Sequence, residues 1–284
     1  MNPLYAVLLG VIQGLTEFLP ISSTAHLTLA GKLLGFIDPQ HPGTWTAFIA
    51  VMQLGTLGAV LLYFWRDVSV MALSLLGDIR TRGNGEGVKG FSRDSRLALL
   101  IILGSLPVGT IGYGFHKIIE GALTKNLVVI SCSLIVLALI LWLAEKMSRR
   151  QKTFEQLRWW DALLIGIAQA MALIPGSSRS GTTITAGLFV GLTRNAAARF
   201  SFLLSIPAVF ASGAYEMMKI DPSVFDLGVT SLIVATGISA ITGYAAIAWL
   251  LRFLMRNTTM VFVWYRIALG LLLLVLVFAG LIEA

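Results

Sequence analysis

Two short polar runs interrupt an otherwise apolar chain: QGLTEFLPISSTAH at residues 13–26 and PGSSRSGTT at residues 175–183. The first combines an amide, a carboxylate, hydroxyls and an imidazole, and the second sets a guanidinium among hydroxyls. Gln13 and Glu17 are spaced i,i+4 and so share a helix face. Ser23 is a nucleophile where a base activates it, and equally a phosphate ligand. His26, with an ordinary pKa of about 6.5, suits general acid–base work or a hydrogen bond to a neighbouring helix. Arg179 offers a planar donor fork that matches phosphate. Together these types point to phosphate chemistry.

Their setting is lipid. Of 284 residues, 57% are hydrophobic and 12% charged, and mean hydropathy is +0.85, whereas soluble domains carry about 25% charged residues. Apolar stretches of about 18–22 residues are long enough to cross the bilayer as helices. The expected fold is an all-α polytopic membrane protein forming a single membrane domain over 1–284. The net charge of +7 is spread over short clusters between apolar segments, which fits topology and not a nucleic-acid partner. Cys132 is the single cysteine, so no intrachain disulfide forms, and it is expected to face lipid or pack. The N-terminus lacks a basic region and cleavage site and is not expected to be a signal peptide.

Six full spans are expected, at 45–65, 97–115, 127–144, 200–218, 228–250 and 260–282. Segments 4–36 and 161–192 are instead broken by LPISST and IPGSSRSGTT. The stretches GVIQGLTEFLPISSTAHLTLAGKLLG and GIAQAMALIPGSSRSGTTITAGLFVG share a Gly, a Gln three residues on, Pro followed by Ser-Ser after one intervening residue, and a late Ala-Gly. Interrupted segments in corresponding positions mark an internal repeat with a site at its interface. The repeats are expected at 1–145 and 158–284.

Basic residues then set the topology. Arg66, Arg80, Arg82, Lys89, Arg93 and Arg96, then Lys146, Arg149, Arg150, Lys152 and Arg158, then Arg194 and Arg199, then Arg252 and Arg256, belong on the cytoplasmic side. Loop 37–44 with Asp38 and loop 218–227 with Asp221 and Asp226 belong outside. This alternation requires 4–36 and 161–192 to be re-entrant hairpins, entering from opposite faces as an inverted-topology repeat whose tips meet near the midplane. Pro20 and Pro175 end the first arms, and the hydroxyls after them cap the second arms. The uncapped amides there favour anions. A buried carboxylate and a buried arginine each cost about 2.5–3.5 kcal/mol at the bilayer centre, so Glu17 and Arg179 are each other's expected partner, either as a lock between hairpins or as part of a site. Gln53, Gln169 and Glu216 are expected to make helix contacts or end spans, Arg266 to snorkel to an interface, and His116 and Lys117 to lie at the interface.

LTEFLPISSTAH and PGSSRSGTT resemble the two signature segments of the bacterial undecaprenyl-diphosphate phosphatase family associated with bacitracin resistance. The resemblance covers almost the whole chain in motif order and span count. It implies hydrolysis of undecaprenyl diphosphate to the monophosphate carrier lipid of peptidoglycan synthesis, at an inner-membrane site facing the periplasm. By position it makes Glu17, Ser23, His26 and Arg179 the catalytic core, with Ser22, Thr24, Ser178, Ser180 and Thr183 binding substrate; Gln13, where this chain departs from the family, is expected to bind phosphate or orient water through its amide. It also implies a divalent cation, magnesium or calcium, for which Glu17 is the one motif carboxylate. Many family members carry glutamate at both positions of an E-x-x-x-E pair; Gln13 stands at the first here, so the ion is expected to ride mainly on the substrate phosphates. The expected partners are the isoprenoid diphosphate, membrane lipids and a second copy of the chain. A transporter of lipid phosphate or another anion is the competing reading, since broken helices meeting at the midplane also build transporters.

Overall fold

The computed structural model describes residues 1–37, 42–81, 90–114, 126–218, 225 and 227–283. Asp38, Arg82, Lys89, His116, Lys117, Asp221 and Asp226, and the side chain of Glu216, lie outside the described residues. Within them the chain forms helices α1 (Pro3–Phe18), α2 (Ser23–Leu33), α3 (Pro42–Tyr63), α4 (Trp65–Thr81), α5 (Arg93–Gly114), α6 (Leu127–Met147), α7 (Trp159–Ala170), α8 (Arg179–Phe189), α9 (Arg194–Met218), α10 (Val229–Arg256) and α11 (Met260–Phe278).

Six of these, α3, α5, α6, α9, α10 and α11, are long and apolar enough to cross a membrane. The molecule is a multi-pass membrane protein. The six coincide with the expected spans, but α9 begins at Arg194 and α10 continues to Arg256. Basic residues at span ends lower local hydropathy while the backbone hydrogen bonds continue through them, so apolarity underestimates helix length there. Segment 66–96 is not all loop, because α4 occupies its first half. Trp65, Leu73, Leu76 and Ile79 lie exposed on one stripe while Met71 is buried on the other side. Charges between these positions hide the helical period from a hydropathy window.

Each broken segment folds as a helix pair. Asn2 caps α1 by accepting from the Leu4 amide at 2.9 Å, and Pro3 presets the first turn. α1 stops at Phe18 because Leu19, preceding Pro20, is extended. Ser22 then caps α2, accepting from the Ala25 amide at 3.3 Å. In the second pair Ser178 caps α8 through the Gly181 amide at 3.2 Å. Both capping serines have positive φ, 74° and 66°, a strained state of order 1–3 kcal/mol each for a non-glycine residue.

The caps correct the expected register. By sequence Ser22-Ser23 matches Ser177-Ser178, but by structure Ser22 matches Ser178, because Gly176 at φ 82° takes up one extra residue in the second turn. Gln13 and Gln169, the two caps, and Gly35 and Gly191 then all stand 156 positions apart. The last two both have positive φ and close α2 and α8 alike: the Phe36 amide donates to Gly31 and the Leu192 amide to Gly187, at 2.9 and 3.0 Å. In this register Ser23 and Arg179 hold the same position, the first residue after each cap.

Packing holds the two pairs tip to tip. α1 lies on α10 and touches α8, α7 lies on α5, α8 is wrapped by α6, α7 and α9, and α11 pairs with α6. The α1–α10 approach is close enough that a Cβ on Gly14 would come within 2.6 Å of the Ser239 carbonyl oxygen. Phe18, Phe202 and Phe64 join the core beneath the first tip.

Candidate active site

Glu17 ends α1 and Arg179 begins α8, and they form an ion pair. The pair is sheltered, with 5% of the Glu17 and 20% of the Arg179 side chain exposed. The tips also touch through Ser180, whose Oγ donates to the Leu19 carbonyl at 3.0 Å.

The Glu17 carboxylate accepts from three side chains. Arg179 Nη2 donates to Oε1, while Oε2 accepts from Ser23 Oγ at 2.9 Å and from Gln13 Nε2 at 3.1 Å. Three residues expected at the site thus meet on a fourth. The Ser23 hydroxyl has a carboxylate to receive its proton and lies on the first turn of α2, where backbone amides precede the first intrahelical acceptors. Arg179 stands at the equivalent point of α8. Two helix N-termini, a guanidinium and a hydroxyl bonded to a carboxylate thus come together, an arrangement whose chemistry suits an anion.

His26 is turned elsewhere. Its Nδ1 lies 2.7 Å from the Ser22 carbonyl and its Nε2 2.6 Å from the Tyr265 hydroxyl, so neither nitrogen reaches Glu17 or Ser23. Ser22 and Ser178 spend their side-chain acceptors on their caps, with Ser178 also within 3.2 Å of Ser180. Thr24 is exposed on the first turn of α2. Thr183 points into its own helix, bonding the Arg179 carbonyl at 2.7 Å and Ser201 at 2.6 Å, and steadies α8 against α9.

Arg266 is the residue that sequence reasoning misplaced. It does not snorkel: it is fully buried, with Nε donating to the Leu134 carbonyl at 3.3 Å and Nη2 to the Ser177 carbonyl at 3.0 Å. Its Nη1 lies against Gly181 in the first turn of α8 and has no hydrogen-bond partner. A position one to two turns inside α11 reads equally as a snorkel or a buried charge. The available signal was Gly270 one turn on, which lets α11 close onto α6 and carries Arg266 inward. Gln169, the counterpart of Gln13, is also fully buried, and its amide oxygen and nitrogen have no hydrogen-bond partner.

Each Glu17 oxygen accepts at least one hydrogen bond, and among the described residues no group of three His, Cys, Asp or Glu converges. One acceptor is spare: Gln13 Oε1, buried beside the carboxylate and without a partner.

Comparison with known proteins covers the same elements. The family model described as bacitracin resistance protein BacA matches residues 6–272. An undecaprenyl-diphosphatase of Syntrophobacter fumaroxidans is 56% identical over 281 residues, 98% of each chain. One of Myxococcus xanthus is 50% identical over 99% of this chain and 91% of its own, and one of Chloroherpeton thalassium is 46% identical over all of both. The matched span runs from α1 into α11 and includes both helix pairs and every residue of the ion-paired site; the chain belongs to the bacitracin resistance protein BacA family.

Proposed function

We propose that this chain is an integral membrane phosphatase that hydrolyses undecaprenyl diphosphate to undecaprenyl phosphate and phosphate, recycling the carrier lipid for peptidoglycan synthesis. The observation that carries this reading is the Ser23 hydroxyl bonded to the Glu17 carboxylate, which is itself paired with Arg179 between two helix N-termini. Ser23 Oγ attacks the terminal phosphorus as its proton passes to Glu17 Oε2. The Oγ–P bond forms, and the bond from phosphorus to the bridging oxygen breaks with its electron pair leaving on undecaprenyl phosphate. Water then attacks the phosphoserine phosphorus, the Oγ–P bond breaks, Glu17 returns its proton to Ser23 Oγ, and phosphate leaves carrying the water oxygen. Arg179 has five N–H donors and spends its Nη2 on Glu17, leaving others for the transferred phosphoryl oxygens. Arg266 adds a second buried positive charge behind α8, and the anionic substrate is the counter-charge it lacks.

A divalent cation, magnesium or calcium, belongs on this reading with the substrate phosphates, with Gln13 Oε1 as the spare protein oxygen nearest the carboxylate. When bound it offsets phosphate charge. Gln13→Leu removes one hydrogen bond to the charged Glu17 carboxylate, worth about 1.5–3 kcal/mol, and is expected to lower turnover about ten- to a hundred-fold. A loss of a thousand-fold would make Gln13 a member of the reacting group instead.

The same reading includes an inverted repeat, 1–145 against 158–284, with both helix pairs re-entrant. Support comes from length: α1 is 16 residues, about 24 Å at 1.5 Å per residue, short of a hydrocarbon core of roughly 30 Å. Support also comes from the constant 156-residue spacing of caps and closing glycines and from reciprocal packing, with α1 on α10 answered by α7 on α5. Three spans between the pairs invert the second relative to the first. With Arg66, Arg80, Lys146 and Arg256 inside, the first pair enters from the periplasm and the site opens there. Single cysteines placed in loop 37–44 are expected to react with an impermeant thiol reagent added outside intact cells, and cysteines at Arg80 are not; the opposite pattern overturns the orientation.

The direct test is phosphate release from undecaprenyl diphosphate by the purified protein in detergent. Phosphoserine trapped at Ser23 would support the two-step route, and Ser23→Ala should stop release. A protein that binds the lipid and releases no phosphate is a transporter, and the reading fails.

A further inference from the structure

We propose that Tyr265 is a positioning residue for His26 and thereby for proton transfer at this site; the kinetic part rests on the hydrolytic role proposed above. The Ser22 carbonyl only accepts, so the Nδ1 that lies 2.7 Å from it carries a proton whatever the charge of the ring. Nε2 is then the nitrogen that gains and loses a proton, and its partner is the Tyr265 hydroxyl at 2.6 Å. With a neutral ring the phenol donates to Nε2. With a charged ring Nε2 donates to the phenol oxygen, and the phenol proton turns outward. Each proton that His26 exchanges is handed over at this contact.

The geometry around the contact is built to hold it. The two rings lie parallel within 7°, with centroids 5.6 Å apart. The next residue, Arg266, is anchored to the Leu134 and Ser177 carbonyls, so α11 cannot rotate to release Tyr265 without breaking two buried bonds. α11 therefore grips both helix pairs with adjacent residues: Tyr265 on the second helix of the first pair, Arg266 on the turn of the second. Tyr265 itself is 44% exposed. Since Ser23 gives its proton to Glu17, the His26–Tyr265 pair is a separate proton-exchanging contact, one turn along α2 from Ser23.

The test is Tyr265→Phe, which deletes one hydroxyl and keeps the ring. Phosphate release should show kcat down about ten-fold with KM within about three-fold, the pattern of lost acid–base positioning. In protein carrying nitrogen-15 histidine in detergent, the His26 Nε2 resonance, identified by its loss in His26→Gln, should move while Nδ1 stays protonated. Tyr265→Leu, which also removes the ring, should match the Phe variant in kcat. A Phe variant with unchanged kcat, or with an unmoved Nε2 resonance, overturns the proposal. So does a variant that loses only thermal stability, which would make the contact a staple between α2 and α11. If the wild-type protein releases no phosphate, the hydrolytic reading fails, while the Nε2 resonance still reports whether Tyr265 holds His26.

Discussion

Glu17→Gln is expected to abolish phosphate release, with turnover down about a thousand-fold or more, because the glutamine amide can accept the Ser23 hydrogen bond but cannot take its proton. The same change leaves Arg179 sheltered without a counter-charge. Breaking a buried ion pair from one side costs about 3–5 kcal/mol, and because the Arg179 side chain is 20% exposed the lower end applies. Melting in detergent should therefore fall together with activity. Asp at this position tests reach: it keeps the charge one methylene shorter and should recover stability more than turnover, since Ser23 and Arg179 are held by separate helices. A folded Glu17→Gln protein with activity within ten-fold of wild type would remove Glu17 from the site.

Arg179→Ala is the second large effect. Loss of a fixed donor aimed at developing phosphoryl charge costs about a hundred- to a thousand-fold in rate, and the variant also strands the Glu17 carboxylate. Lys at this position restores a point charge but not the fork, so it should recover folding and only part of the rate. The double variant Glu17→Gln with Arg179→Met removes both charges and should melt higher than either single variant predicts by addition, because neither partner is left unpaired. Additive destabilisation would show that the pair is not coupled in the folded protein.

Several elements were legible in the chain because they are local. The apolar runs became six long helices, and Pro20, Pro175 and the hydroxyls after them became turns and caps, since φ at proline and the orphan amides of a helix start are decided within a few residues. The Glu17–Arg179 pairing was also legible, because two opposite charges in a lipid setting have few other solutions. What misled was equally specific. α4 was missed because charges interleave its apolar stripe. The two Ser-Ser pairs were aligned one residue off because the left-handed turn at Gly176 absorbs an extra residue that the letters do not show. Thr183 carries the right chemistry, but its rotamer commits it to Ser201 and the Arg179 carbonyl.

By itself the sequence determined a polytopic helical membrane protein, two broken apolar segments with polar tips, and the residue types gathered there. Tertiary structure decided which of those residues touch. It gave Ser23 to Glu17 and turned His26 away to Tyr265. It also drew Arg266 from an expected interface to the base of α8. The physical reason is distance along the chain. Helix periods and caps are set by neighbours within one or two turns, whereas the partners of Glu17, His26 and Arg266 lie 162, 239 and 89 positions away. Those contacts exist only because α1 packs on α10, and α11 on α6, closely enough to bring the two tips and the buried arginine together.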